Sequence, residues 1–303
     1  MGMGAADVVP GVSGGTIAFI TGIYEELVHA IRSFDSHAVR FLFTGKWRSF
    51  WNHINGYFLL AVFTGVLISV ISLAQILEHL LTSHPILIWS FFFGLIVASS
   101  LIVARKIKSW NYTKVVALMV GVGTAFYITS ITPAQTTESA WFIFIAGALA
   151  SCAMILPGIS GSFILLLLGK YQFALNAVNE LKFLPLLLLA IGAVAGLISF
   201  AKLLSWLLKK YHDVTVAVLA GFMIGSLNKI WPWKKTVSTI MIEGHEKPLL
   251  EKNIIPTPGD PSYQFWEALA LMAAGIVLIA GIELVSRRLG NNPEASRTRN
   301  ESS

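Results

Sequence analysis

The chain has 303 residues, 55% of them hydrophobic and only 13% charged, with a formal net charge of +6 and a mean hydropathy of +0.71. A soluble domain carries about 25% charged residues, so this composition excludes a water-soluble globule and points to an integral membrane protein. The apolar runs are continuous rather than alternating, which excludes an outer-membrane barrel, and the basic residues lie between those runs, where membrane orientation accounts for them without a nucleic-acid partner.

In chain order, the first apolar stretch covers about residues 5–31. It contains Pro10-Gly11-Val12-Ser13-Gly14-Gly15 and Gly22-Ile23-Tyr24. No basic segment precedes it, the first Lys or Arg being Arg32, so no cleavable signal peptide is expected. A basic loop, 32–55, leads to three spans at about 56–81, 85–104 and 114–131. A second interrupted stretch, 139–168, holds Pro157-Gly158-Ile159-Ser160-Gly161-Ser162 and is followed by Gly169-Lys170-Tyr171. Three more spans follow at about 183–208, 214–230 and 265–285, with a long loop over 231–264 before the last. Each span approaches or exceeds the ~20 residues that a bilayer requires. All nine tryptophans fall at or near the expected ends, as an aromatic belt does. The lone cysteine, Cys152, lies in an apolar run, so no disulfide framework exists.

The two interrupted stretches are copies of one another. At an offset of 147, Pro10, Ser13, Ile17, Gly22, Tyr24 and Ala30 align with Pro157, Ser160, Ile164, Gly169, Tyr171 and Ala177. Gly65 and Gly94 lie 29 residues apart, as do Gly196 and Gly225. The expected fold is an all-α polytopic membrane protein of two inverted repeats, each one re-entrant helical hairpin plus three transmembrane helices. Residues 1–131 form the first repeat, 132–286 the second, and 287–303 a disordered cytoplasmic tail. A half with three crossings is inverted relative to the next, so the motifs would dip in from opposite faces. If 139–168 were instead a full broken span, the same 15 of 22 basic residues would still lie inside, so charge does not decide. Only nine residues precede Pro10, too few for half a span, which favours hairpins.

Polar, glycine-rich sequence at membrane depth is tolerated only where it lines a cavity or is buried in protein. Pro10 and Pro157 each stop a helix, and Gly11 and Gly158 permit close backbone approach. A helix then resumes, leaving Ser13, Gly14, Gly15 and Thr16 in one copy and Ser160, Gly161 and Ser162 in the other at a helix N-terminus. Free N–H groups, the positive dipole end and hydroxyl donors there suit a phosphate or carboxylate. The competing reading is a pair of structural kinks for tight helix packing.

Ionisable residues in apolar segments are expensive and usually functional. Asp7 stands three residues before the first motif, where the second copy has Met154. Asp7 is a candidate to carry a proton or cation or to pair with a lysine, Lys170 to attract an anionic head group, and Glu25 and Lys202 are charged positions of the same kind. Glu25 also reads as an interfacial helix end, and Lys202 as a lysine snorkelling near Trp206. No catalytic or metal-ligand spacing occurs, and no cofactor is expected.

The residues from Gly4 to Ala18, followed by Gly22-Ile23-Tyr24-Glu25, resemble the signature of the bacterial polyprenyl-phosphate transporter family, the undecaprenyl-phosphate translocases. Leu156 to Ser162 and Gly94 to Ser99 fit as well, and the resemblance covers about residues 2–285. It implies a multi-pass flippase of the bacterial cytoplasmic (inner) membrane, in which Asp7, Glu25 or Lys202 would couple transport to a proton or sodium ion. Its partners would be undecaprenyl phosphate, the carrier of peptidoglycan precursors, and the surrounding lipids. Spent carrier would return from the outer to the inner leaflet by alternating access. Two rivals stay open. An undecaprenyl-pyrophosphate phosphatase has similar repeats, but neither motif here holds the Arg or His that a phosphoryl transition state needs. A small-anion permease fits the motifs alone equally well.

Overall fold

Uncharged apolar runs long enough to satisfy their own backbone hydrogen bonds become helices, and fourteen are present among the described residues. The computed structural model describes residues 1–8, 13–133, 136–242, 245–258 and 263–290. Pro10 and Gly11, and residues 291–303 of the expected tail, lie outside these. The first half contains α1 (Gly2–Val8), α2 (Gly14–Ile20), α3 (Tyr24–Arg32), α4 (Ser36–Phe43), α5 (Trp47–His53), α6 (Gly56–Ser83), α7 (Pro85–Arg105) and α8 (Tyr112–Ser130). The second contains α9 (Ala140–Ile155), α10 (Gly161–Leu167), α11 (Tyr171–Asn179), α12 (Phe183–Lys210) and α13 (His212–Ser226). Strands β1 (Lys234–Ile242) and β2 (His245–Asn253) and helix α14 (Phe265–Gly290) complete it.

Five helices, α6, α7, α8, α12 and α14, are long and apolar enough to cross a membrane, or six crossings if the bent pair α10–α11 counts as one. The chain is thus a multi-pass membrane protein. The span expected at 214–230 is α13, which is only 15 residues long. Helix α7 forms the centre, with 56% of its apolar window buried against 11% for α6 and α12. Ile96 and Val103 of α7 and Ala217, Ala220 and Met223 of α13 belong to one buried apolar cluster.

The internal repeat holds at the level of helix boundaries. Helices α2 and α10 have seven residues each and α3 and α11 nine each, and every boundary maps onto its counterpart at the offset of 147. Both short helices end the same way. Gly22 (φ +78°) and Gly169 (φ +62°) take the left-handed conformation, and Ile23 N–H and Lys170 N–H reach back to the Ala18 and Leu165 carbonyls. This helix stop needs glycine at its turning residue. Between α10 and α11 the chain bends by 105°.

Each motif-bearing segment is a helical hairpin. Gly2 faces Ile17 while Asp7 faces Gly14, so α1 and α2 run antiparallel. Likewise Gly161 lies against Ala150 and Met154, and Thr136 Oγ1 donates to the Leu168 carbonyl, joining the other ends of α9 and α10. Helix α12 then runs parallel to α9, with Gly192 on Phe144 and Gly196 on Ala148. A chain that crossed fully through α9 and α10 would bring α12 back antiparallel; the parallel pairing is what a hairpin produces.

Two segments expected as loops are ordered. Residues 32–55 carry α4, capped by Asp35 accepting from His37 and Ala38 N–H groups, and α5. The loop 231–264 contains an antiparallel β-hairpin, a departure from an all-α chain outside the candidate spans. Trp231 Nε1 donates to the Ile254 carbonyl and Trp233 Nε1 to the Tyr263 carbonyl, anchoring it to the helices. The expected tail begins inside α14, which continues to Gly290.

The glycines at 94 and 225 mark points of backbone contact. A Cβ on Gly225 would sit 2.4 Å from the Val122 carbonyl oxygen, whereas one on Gly123 would meet nothing within 4 Å. Gly225→Val should therefore force α8 from α13 and cost ~1–3 kcal/mol, read as a lowered thermal midpoint of the purified protein, while Gly123→Val leaves the midpoint unchanged.

Candidate functional site

The residues after each proline motif cap a short helix with a serine hydroxyl. Ser13 Oγ accepts from Gly15 N–H at 3.1 Å, and Ser160 Oγ accepts from Phe163 N–H at 3.3 Å. Both are N-caps in extended backbone, the geometry this residue type favours. Ser160 Oγ also lies 3.3 Å from Ser162 Oγ. Ser13, Thr16 and Ser160 are buried, while Ser162 is exposed.

The structure brings the two motifs together. Thr16 Oγ1 accepts from Gly158 N–H at 3.0 Å, and Ser13 Oγ–H donates to the Met154 carbonyl at 3.3 Å. Tyr24 O–H donates to the Ile155 carbonyl at 3.0 Å, with its ring fully enclosed. Each interruption thus supplies the polar partners that the other lacks. Tyr24 was visible in the sequence only as the end of the repeated Gly-x-Tyr; its hydroxyl is the missed contributor.

Asp7 occupies the position expected for an anion. Gly14 N–H donates to Asp7 Oδ1 at 2.7 Å, and a Cβ on Gly14 would fall 2.5 Å from Oδ2. The N-terminus of α2 is therefore filled by the chain's own carboxylate, a favourable charge for that helix end. At α10, Gly161 and Ser162 head the helix, where backbone N–H groups have no carbonyl one turn back.

The other charged candidates lie elsewhere. Lys170 is buried at the far end of α10, about 10 Å along that helix from Ser160. Its Nζ donates to the Thr136 carbonyl at 2.9 Å and faces the Phe142 and Phe173 rings. Glu25 pairs with His212 at 3.2 Å. Lys202 is exposed on α12. Glu25 belongs to a polar end of the bundle where Lys114 meets Asp213 at 2.6 Å, Arg32 donates to Ser205 Oγ and Lys106 donates to the Phe19 carbonyl at the end of α2. The far ends of α2 and α10 consequently lie at opposite ends of the molecule, while their N-termini meet.

A family model described as undecaprenyl phosphate translocase-like matches residues 3–247. A Vibrio cholerae protein named polyprenyl-phosphate transporter is 45% identical over 289 residues, covering 93% of this chain and 94% of that protein. A Staphylococcus aureus protein of the same name is 36% identical over 251 residues, covering 76% of this chain and 83% of its own length. No solved structure matches the chain.

The Thr16–Gly158 bond is testable by stability. Thr16→Val keeps the shape but leaves the buried Gly158 N–H without its acceptor, for ~1–3 kcal/mol. Thermal unfolding should show this loss, and Thr16→Ser should restore most of it.

Proposed function

The chain belongs to the undecaprenyl phosphate translocase-like family, and on that premise we propose that it carries undecaprenyl phosphate from the outer to the inner leaflet of a bacterial cytoplasmic membrane, recycling the carrier of cell-wall precursors. The observation that carries this reading is the meeting of two helix N-termini whose helices lead away to opposite ends of the molecule. Paired interruptions of this kind are where secondary transporters hold their substrates. A phosphate monoester head suits helix ends and hydroxyls, while its polyprenyl tail stays in lipid.

The halves act as inverted repeats. Helices α8 and α13 run parallel, since Gly221 faces Leu118 and Val122 while Gly225 faces Val122 and Phe126. They are the third and second spans of their halves, and in a direct repeat they would oppose. The cross-pairing of α7 with α14 and of α13 with α8 has the symmetry of such a fold. Glycines 65 and 196 play matching parts, against Met1 and Ala148.

The head group binds at Ser160, Gly161 and Ser162 first, where a hydroxyl is exposed. It gains Ser13, Gly14, Gly15 and Thr16 when Asp7 leaves Gly14 N–H. Pro157 and Gly158 set the backbone that makes this possible; Pro10 and Gly11, expected to do the same in the first motif, lie outside the described residues. Protonation or cation binding at Asp7 would weaken its hold on Gly14 and couple transport to an ion. Glu25, Lys170 and Lys202 do not face the junction and take no part in the cradle. A hydrolase reading lacks an Arg or His within either serine motif, and the relatives are named transporters.

Proteoliposomes loaded with undecaprenyl phosphate test this, with head-group exposure read by an added phosphatase that cannot cross the bilayer. Wild-type protein should render the lumenal-leaflet pool accessible; equality with protein-free liposomes would sink the reading. The double variant Ser160→Ala, Ser162→Ala should slow exposure about tenfold, as expected for lost hydrogen bonds to a charged group. Asp7→Asn should abolish any dependence of the rate on a proton or sodium gradient.

A further inference from the structure

The sequence pattern contains an unexplained concentration of charge. With 15 of the 22 basic residues assigned to the cytoplasmic side, seven remain, and five of those fall in one stretch: Lys229, Lys234, Lys235, Lys247 and Lys252. Short external loops normally carry few basic residues. Three glutamates, Glu243, Glu246 and Glu251, accompany the five lysines, leaving an excess of positive charge.

The fold gathers part of that charge around a cavity. A space of about 300 Å³ lies between the end of α8, one face of α10 and the β-hairpin. Phe163 and Leu166 of α10 form its apolar wall, and Thr129, Ser130 and Asn228 form a polar edge. Among the described residues, Lys229, Lys234 and Lys252 line it with one acid, Glu251. Glu251 Oε2 is shared, 3.6 Å from Lys229 Nζ and 3.5 Å from Lys234 Nζ.

Neither lysine behaves as an ordinary surface residue. The Lys234 side chain is only 6% exposed, and its Nζ stands 4.0 Å from the centre of the Trp89 ring. Lys229 Nζ stands 5.2 Å from the centre of the Phe163 ring, one residue beyond Ser162. Burial pulls the Lys234 ammonium down to about 8, against the opposing pull of Glu251 and with help from Lys229. One carboxylate therefore serves two partly desolvated ammonium groups, and a buried charge gains most from a second anion. The hairpin is pinned over the cavity, with Asn253 Nδ2 donating to the Asn228 carbonyl at 2.8 Å.

We propose that this cavity is a docking site for a phosphate monoester, with Lys229 and Lys234 as its ligands and Glu251 as the internal anion that the phosphate displaces. The inference deepens the transport reading and rests on it for the identity of the lipid. The cavity abuts the α10 face next to Ser160 and Ser162, so it would receive a head group from the outer leaflet and pass it to the serine motif. Its apolar wall accepts the first isoprene units.

The test uses full-length purified protein and two probes, farnesyl phosphate and inorganic phosphate, with farnesol as the uncharged control. Binding is measured by calorimetry, and folding of each variant by its thermal midpoint. The double variant Lys229→Gln, Lys234→Gln should weaken farnesyl phosphate about tenfold or more and leave farnesol unaffected. Glu251→Gln should tighten farnesyl phosphate, because its competitor is gone; this variant decides the matter if the double variant fails to fold. Unchanged farnesyl phosphate affinity in both variants would overturn the cavity and leave the transport reading intact. Equal, lysine-dependent affinity for inorganic phosphate would keep the anion site and overturn its lipid source. A wild-type protein that binds neither probe would overturn both.

Discussion

Inside a bilayer an interrupted helix must find new partners for its freed backbone groups, since lipid offers none. This constraint governs the molecule. The two Pro-Gly interruptions answer it by trading partners across the halves, through Thr16 and Gly158, Ser13 and Met154, and Tyr24 and Ile155. Asp7 satisfies what remains at Gly14. Such a junction is stable while closed and cannot simply come apart, because each separated group would be left bare. It can open only in exchange for something else that accepts hydrogen bonds, and a phosphate oxygen does so better than most groups.

The two ends of the molecule differ in what they offer. One holds Lys114 with Asp213, Glu25 with His212 and Arg32 with Ser205, compact pairs that tie helix ends together. The other carries the β-hairpin, its tryptophan anchors and two lysines leaning on one glutamate. The second shares one carboxylate between two lysines beside an apolar wall, a combination with amphiphile character.

Much of the local structure was legible because glycine, proline and serine carry positional meaning. The offset of 147 marked the two short helices as counterparts, and the repeated Gly-x-Tyr marked where they end, since a left-handed turn needs Gly22 and Gly169. Spans were legible from length and polarity, yet α13 is shorter than its apolar run. The anion cradle was readable as a place but not as a state. That Asp7 fills it depends on a hairpin folding back, and spacing along the chain does not reveal which N–H its carboxylate reaches. The β-hairpin was missed although Thr236, Val237, Thr239 and Ile240 are strand formers, because flanking lysines and glutamates made 231–264 read as solvated loop. Its meaning arises from Trp231, Trp233 and Asn253, whose partners lie 20 or more residues away along the chain.

Cross-pairing of helices also bears on how the protein is made. Gly94, in the central helix α7, fits its backbone against Met272 of α14, a helix synthesised long after it. At about 5–20 residues per second, that partner emerges roughly ten seconds or more after α7 itself. Until then a glycine-faced central helix waits in the membrane without its mate. The core is therefore completed only once α14 has been inserted. Truncation before α14 would remove not a peripheral helix but the closure of the core.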